Sequence, residues 1–195
     1  QKLSDTGLFQ SVADHVPAAG VVPYELNAPQ WHDGAIAERW LALPDQAGIT
    51  VYPGDGKPMP SQVQWHNFRL HFPKDAVLVK TLSLDLEAGN PQSRRRIETQ
   101  VLHFDGADWR AYSFRWRDDQ SDADLVPTTG DERSLKVRDA AHPQGERQLV
   151  WQFHDRTQCM QCHSQWPQYA VGFQLNQLQR EIVDASGKKE NQLVR

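Results

Sequence analysis

Cysteine and methionine are scarce: the 195 residues hold two of each. Two cysteines cannot build the disulfide framework of a small secreted scaffold, and a chain of this length can bury a core without one. An excess of charge of one sign is also lacking. Lys plus Arg total 21 against 25 Asp plus Glu, a formal charge of −4 with a pI near 6.1. That balance removes the electrostatic reason for a nucleic-acid partner or an anionic membrane surface. No apolar run approaches the roughly 20 residues of a membrane-spanning helix. The opening residues Gln1-Lys2-Leu3-Ser4-Asp5 hold no apolar signal core, so the expectation is an export signal already removed or never present. Internal repeats and low-complexity segments are missing, as are G-x-S-x-G and H-E-x-x-H, and no hydrolase constellation emerges. What the chain does have is seven Trp, and both cysteines within five residues, Cys159-Met160-Gln161-Cys162-His163.

Residues 1–30, with Pro17, Gly20, Pro23 and Pro29 and little periodicity, predict an irregular arm laid over a single β-rich domain spanning 31–195. Between Trp31 and Leu43 the residues Ile36, Trp40 and Leu43 fall at i, i+4 and i+7 before Pro44, which predicts a short amphipathic helix. Residues 44–60 read as loop. Period-two patterns then predict at least five strands: Phe68–Phe72, Leu78–Leu86, Glu98–Phe104, Trp109–Trp116 and Leu149–Phe153. Lys80 interrupts the otherwise apolar face of the second, and Asp105-Gly106-Ala107-Asp108 reads as a hairpin turn. Asp118 to Gln148 reads as a long polar loop with room for one short strand. Val171, Leu175, Leu178 and Ile182 follow helical spacing after the cysteines, closed by Ser186-Gly187. The fold expected is mainly β: an antiparallel sandwich-like core with a short N-terminal helix and a C-terminal helical segment carrying the cysteines. The ending Asn191-Gln192-Leu193-Val194-Arg195 forms no natural stop, so the chain is expected to be a piece of a longer one.

The pattern C-x-x-C-H is that of covalent c-type haem attachment. Two thiols three positions apart reach the vinyl groups of adjacent pyrroles, and the histidine that follows is carried under the iron as proximal ligand. Two cysteines placed at random fall at this separation in about 1% of cases, and a histidine follows in about 4% of those, so chance supplies roughly 4 in 10,000. Cys159, Cys162 and His163 are therefore the expected haem residues. Other readings of the cysteines compete with it. Zinc held by His154, Cys159, Cys162 and His163 would place adjacent residues awkwardly on one tetrahedron. A thioredoxin-like pair would want a βαβ setting, and a disulfide across so small a loop would stabilise little.

A macrocycle needs apolar walls, and Trp151, Phe153, Trp166, Tyr169 and Phe173 flank the motif, although each is equally at home as an ordinary core aromatic. Met160 lies inside the attachment loop and cannot reach across the ring. The distal position then falls to Met59, to a histidine among His15, His32, His66, His71, His103, His142 and His154, or to no residue; Met59 and His154 are the candidates carried forward. A filled sixth position favours electron transfer and an open one favours small-molecule chemistry. The run Asp118-Asp119-Gln120-Ser121-Asp122-Ala123-Asp124 spaces oxygens as a Ca²⁺ loop would, but lacks the glycine and closing glutamate of an EF-hand, and a solvated acidic turn is the simpler reading. Arg94-Arg95-Arg96 reads as a solvated rim.

Several blocks together resemble a family of exported bacterial proteins with a cytochrome c-type motif. They are Trp31-His32-Asp33-Gly34-Ala35 with Glu38-Arg39-Trp40 and Leu43-Pro44; Phe72-Pro73 with Val77-Leu78-Val79-Lys80-Thr81; and Arg96-Ile97-Glu98-Thr99. Further along come Tyr112-Ser113-Phe114-Arg115-Trp116 with Asp119-Gln120-Ser121-Asp122-Ala123; Gln158-Cys159-Met160-Gln161-Cys162-His163; and Gly172-Phe173-Gln174-Leu175-Asn176 with Asn191-Gln192-Leu193. The blocks run in family order from about residue 30 to 195. The resemblance implies a haem c protein of the cell envelope, periplasmic or exported. Some members follow a sugar-dehydrogenase-like β-propeller on one chain, and a second Cys-x-x-Cys-His often comes downstream. The partner implied is thus a redox protein or fused dehydrogenase. Where the family pattern reads Glu-Thr-Arg this chain has Glu98-Thr99-Gln100, so that arginine's role does not transfer. Three functions follow as expectations: an electron-transfer haem domain serving an oxidoreductase, a haem enzyme with an open distal site, or a non-haem binding module holding zinc or a disulfide.

Overall fold

The longest alternating segments of the sequence pair with one another. In the computed structural model, which describes residues 1–52, 69–164, 169–183 and 187–194, the strands run in chain order as follows. The first seven are β1 (Phe9–Ser11), β2 (Val16–Pro17), β3 (Val21–Pro23), β4 (Ile36–Ala42), β5 (Thr50–Tyr52), β6 (Arg69–His71) and β7 (Val77–Asp85). Then come β8 (Arg94–Phe104), β9 (Trp109–Trp116), β10 (Ala123–Leu125), β11 (Asp131–Arg138), β12 (Glu146–Phe153), β13 (Glu181–Val183) and β14 (Lys189–Asn191). Two short α-helices, α1 (Arg156–Cys162) and α2 (Leu175–Leu178), separate β12 from β13. Among the described residues β3-β4-β7-β8-β9-β10 form one antiparallel sheet in that order, and the remaining strands form two-stranded ribbons. No helix among them is long and apolar enough to cross a membrane.

Register decides which side chains meet. Trp40 lies opposite Val79, Val79 opposite Val101, and Thr99 opposite Phe114, so these share one face with Trp116. The N-terminal arm covers that face with Leu3, Leu8, Phe9 and Val12. Leu78, Leu102 and Ala111 point the other way and pack with Leu26, Ala170, Phe173 and Leu178. Farther along the same side, past a register shift between Leu82 and Ser83, the residues Leu82, Leu84 and Ile97 pack under the β11–β12 hairpin through Leu135, Val137, Trp151 and Phe153. Fully burying side chains of this size contributes roughly 1.5–3 kcal/mol each, so the two-sided cover accounts for much of what holds the sheet together.

The mainly β, antiparallel reading agrees with this structure, but several elements differ from expectation. Residues 31–43 hold no helix: Ile36–Ala42 is strand β4, paired with β7 from Ile36↔Ser83 to Ala42↔Val77. Both faces of this strand carry packed residues, Trp40 under the arm, Leu41 and Ala37 on the other side, so its apolar residues show no alternation to read. The stretch read as loop contains β10 and β11; β10 is only three residues long, and in β11 the only large apolar members, Leu135 and Val137, alternate with polar residues. The second layer of the expected sandwich is a single hairpin rather than a sheet of comparable size. The helix expected through Val171 to Ile182 is limited to Leu175–Leu178, after which β13 and β14 form a ribbon. The arm also contributes β3 to the central sheet, through Val21↔Ala42 to Pro23↔Trp40.

Candidate functional site

Local chemistry starts α1 where the cysteines need it. Asp155 is the N-cap: its side chain accepts from the Gln158 backbone N–H at 2.8 Å, and the Gln158 side chain accepts from the Asp155 N–H at 3.0 Å. This reciprocal pair satisfies two of the donors a helix start leaves open. Cys159 and Cys162 follow at i and i+3, which puts the two thiols on neighbouring positions of one face. His163 ends the helix, its N–H donating to the Cys159 carbonyl at 2.9 Å. Both thiols are free, Cys159 half-buried and Cys162 exposed.

Between α1 and the sheet lies a cavity of about 440 Å³. Cys159, Cys162 and His163 line one side, Leu78, Lys80, Gln100 and Leu102 form the sheet floor, and Leu26 and His32 close it from the segment before β4. The volume falls within the roughly 300–1,000 Å³ of small-molecule sites. A larger hollow of about 820 Å³ shares His32 and Arg39 but is lined by none of the three motif residues, so the smaller one is the candidate site.

The His163 ring is held in one tautomer. Its Nδ1 lies 2.5 Å from the backbone carbonyl of Tyr169, and since a carbonyl can only accept, Nδ1 carries the proton and Nε2 keeps its lone pair. Tyr169 adopts the left-handed region at φ 61°, a conformation that costs a non-glycine residue free energy and is maintained here by the tertiary setting. Burial holds the His163 pKa below the usual histidine value, against the bond to Tyr169 and together with nearby Lys80. The ring is neutral at pH 7, as a metal ligand must be.

A buried polar cluster lies in the sheet beneath the cavity. Glu98, only 2% exposed, accepts from Ser113 Oγ at 2.6 Å and Gln100 Nε2 at 3.1 Å on one oxygen, and from Trp151 Nε1 at 2.9 Å on the other. Lys80 projects from the same face. Burial lowers its pKa to about 8, with Glu98 opposing the fall and Arg39 adding to it. The Cys159 thiol is pushed up by burial and by the carboxylates of Glu98 and Asp155. It is therefore a protonated thiol at neutral pH, the opposite of the lowered pKa that thiol-disulfide catalysis uses.

His32 lines the same cavity from the segment before β4. It starts a tight turn in which the Ala35 N–H donates to the His32 carbonyl at 2.7 Å, with Asp33 at φ 50° and Gly34 at φ 83°. Burial, then Lys80 and Arg39, lower its pKa to about 4, Asp33 acting weakly the other way. Among the described residues its Nε2 is buried with no hydrogen-bond partner.

The residues singled out from the sequence separate into groups. Tyr169 and Phe173 join Cys159 and Met160 in one apolar cluster, and Phe173 meets Tyr24 edge-on at 5.0 Å. Trp151 and Phe153 do not line the cavity: they belong to the core under the β11–β12 hairpin, and the Trp151 indole is committed to Glu98. Strand alternation points them into that core, which their nearness in sequence to the cysteines concealed. Trp166, Met59 and His66 lie outside the described residues. His154 is exposed at the cavity lip, five residues before Cys159. His15 sits on the arm-covered face, stacked on Phe9 and bonded to Thr81 Oγ1 at 3.0 Å.

Among the described residues no three His, Cys, Asp or Glu side chains are grouped as a metal ion would need. The carboxylates of the Asp118–Asp124 run are engaged within the chain. Asp118 pairs with Arg133, Asp124 takes both Nε and Nη2 of Arg117, and Asp122 accepts from Ser4 Oγ at 2.7 Å. Arg96 is not on a solvated rim: it lies over the Trp116 ring at 4.3 Å and donates to the Ala13 carbonyl at 2.8 Å. Sequence reasoning missed Glu98 and the importance of His32. Lys80 alone had announced itself, as a charge on an apolar strand face. The chain matches no protein-family model, no curated protein and no solved structure.

Proposed function

We propose that the chain is a c-type haem domain of the bacterial cell envelope, held through thioethers at Cys159 and Cys162 with His163 as proximal iron ligand, and that it passes electrons for an oxidoreductase. The observation that carries this reading is that both thiols and a His163 ring whose proton is held on Nδ1 line one cavity of about 440 Å³. A proximal histidine whose other nitrogen is tied to a backbone carbonyl is the usual second-shell arrangement around a metal. The fit extends to the walls: Leu26, Leu78, Leu102 and Ala170 offer apolar surface, while Lys80 and Arg39 offer positive charge to the carboxylates at a haem's edge.

Haem supplies an iron that takes one electron from a reduced protein partner and gives one to an oxidised partner, with no atom transferred. The residues of this chain anchor the group, orient its ligand and exclude water from one side. The helical segment carrying both thiols is the attachment arm, and the antiparallel strands are the wall behind it. Covalent attachment of this kind takes place outside the cytoplasm, so export accompanies the reading, and the partner is a redox protein or a dehydrogenase domain on a longer chain.

The test is to express the chain in the cell envelope together with haem-attachment machinery. A red product heavier than the polypeptide by about 600 Da, with the added mass surviving denaturation, supports the reading; Cys159→Ala together with Cys162→Ala removes that mass. A colourless product with free thiols overturns it.

A further inference from the structure

We infer that His32 supplies the second axial ligand to the iron, on the side of the ring opposite His163. This rests on the haem reading above and adds the residue that completes the coordination. Nε2 of His32 is buried and, among the described residues, has no hydrogen-bond partner. A buried ring nitrogen without a partner destabilises a fold unless something outside the polypeptide meets it. The cavity that His32 lines is the one lined by Cys159, Cys162 and His163. The two histidines come from different walls, one from the turn before β4 and one from the end of α1, and both feel the charge of Lys80. Two ligands of one iron must come from separate elements that line one cavity, as these two do.

The other described histidines are placed less well. His154 shares the wall of His163 and is exposed, His15 lies across the sheet, His71 is exposed at the end of β6, His103 pairs with Asp75 at 3.2 Å, and His142 sits in the turn between β11 and β12. The His32–Ala35 bond fixes the turn that presents the ring, so little backbone movement is needed. Two imidazoles on the iron leave no open position, which assigns the domain to electron transfer rather than to chemistry on a small molecule.

The experiment uses the full chain with haem attached. Wild type is expected to be low-spin in both oxidation states and to resist carbon monoxide when reduced. His32→Ala is expected to keep its covalent haem, shown by mass, while losing the low-spin absorption and electron-paramagnetic signals and binding carbon monoxide. Added imidazole should restore the low-spin spectrum. His32→Met keeps a ligand in place and should remain low-spin with a raised reduction potential. His154→Ala should leave all spectra unchanged. A red His32→Ala protein that stays low-spin, or a wild type that is high-spin, overturns the His32 assignment and leaves the haem reading standing. A wild type without covalent haem overturns both.

Discussion

Replacing Glu98 by Gln tests the polar cluster beneath the cavity. Three donors converge on the two carboxyl oxygens of a side chain that is 2% exposed: Ser113 Oγ and Gln100 Nε2 on Oε1, Trp151 Nε1 on Oε2. Gln keeps the shape but turns one oxygen into an NH₂ group. Placed at Oε2, that group faces the Trp151 N–H donor to donor; placed at Oε1, it faces Gln100 and forces the Ser113 hydroxyl to turn. At least one buried bond to a charged acceptor is lost, about 1.5–3 kcal/mol. For a chain of this size that corresponds to a fall in Tm of roughly 4–10 °C.

Glu98→Gln also withdraws the negative charge that opposes the fall in the Lys80 pKa, which adds to the loss rather than relieving it. Trp151→Phe removes the partner of Oε2 from the other side and should cost a similar amount. Because the two changes delete one shared bond, the double variant should be less destabilised than the sum of the singles, by about 1 kcal/mol or more. Urea unfolding followed by tryptophan fluorescence and by circular dichroism measures all four proteins. A Glu98→Gln protein within about 0.5 kcal/mol of wild type, or strictly additive losses, would refute the reasoning.

Two further outcomes follow from other parts of the fold. Gly130 has φ 76°, and a Cβ there would meet the Phe153 carbonyl oxygen at 2.9 Å, so Gly130→Ala should destabilise by roughly 1–3 kcal/mol in a thermal melt, and a melt unchanged from wild type would contradict that packing. Burial would raise the Asp122 pKa, but bonds from Ser4 Oγ, the Ala123 N–H and the Ser4 N–H outweigh it and hold the carboxyl below its usual value. A depressed carboxyl stabilises the fold above its unfolded pKa of about 3.9 and loses that contribution as pH falls through the folded value. The stability gap between wild type and Asp122→Asn should therefore be constant near neutrality and shrink below about pH 4; a gap that widens there would reverse the sign.

The legible parts of the fold were those where large side chains recur at every second position. Trp109–Trp116 was read with its observed ends, because Tyr112, Phe114 and Trp116 set three aromatic rings on one face of it. Val77–Asp85 was read to within a residue. β4 was hidden by packing on both of its faces, which erases the period-two signal and left Ile36, Trp40 and Leu43 to mimic a helix. β11 was hidden for the opposite reason: only Leu135 and Val137 pay for its burial among eight residues, and its partner β12 is what makes it a strand.

The candidate site divides along the same line. Spacing along one turn of helix determines that the Cys159 and Cys162 thiols are neighbours and that His163 follows them, and this is a local property legible without a fold. Which distant residue meets that group is not local. His32 stands 131 positions from His163, and only the β3–β4–β7–β8 sheet, with Leu26 and Phe173 packed against it, brings the two to one cavity. The same sheet alternation carries Trp151 and Phe153 away into another core and sets Lys80 and Glu98 under the cysteines. The sequence alone thus determines the Cys159, Cys162 and His163 group, because its geometry lies within a single helical turn. The rest of the cavity, its charge and a His32 nitrogen without a partner among the described residues are decided by tertiary structure, because strand register, rather than nearness in sequence, selects the side chains that share a face.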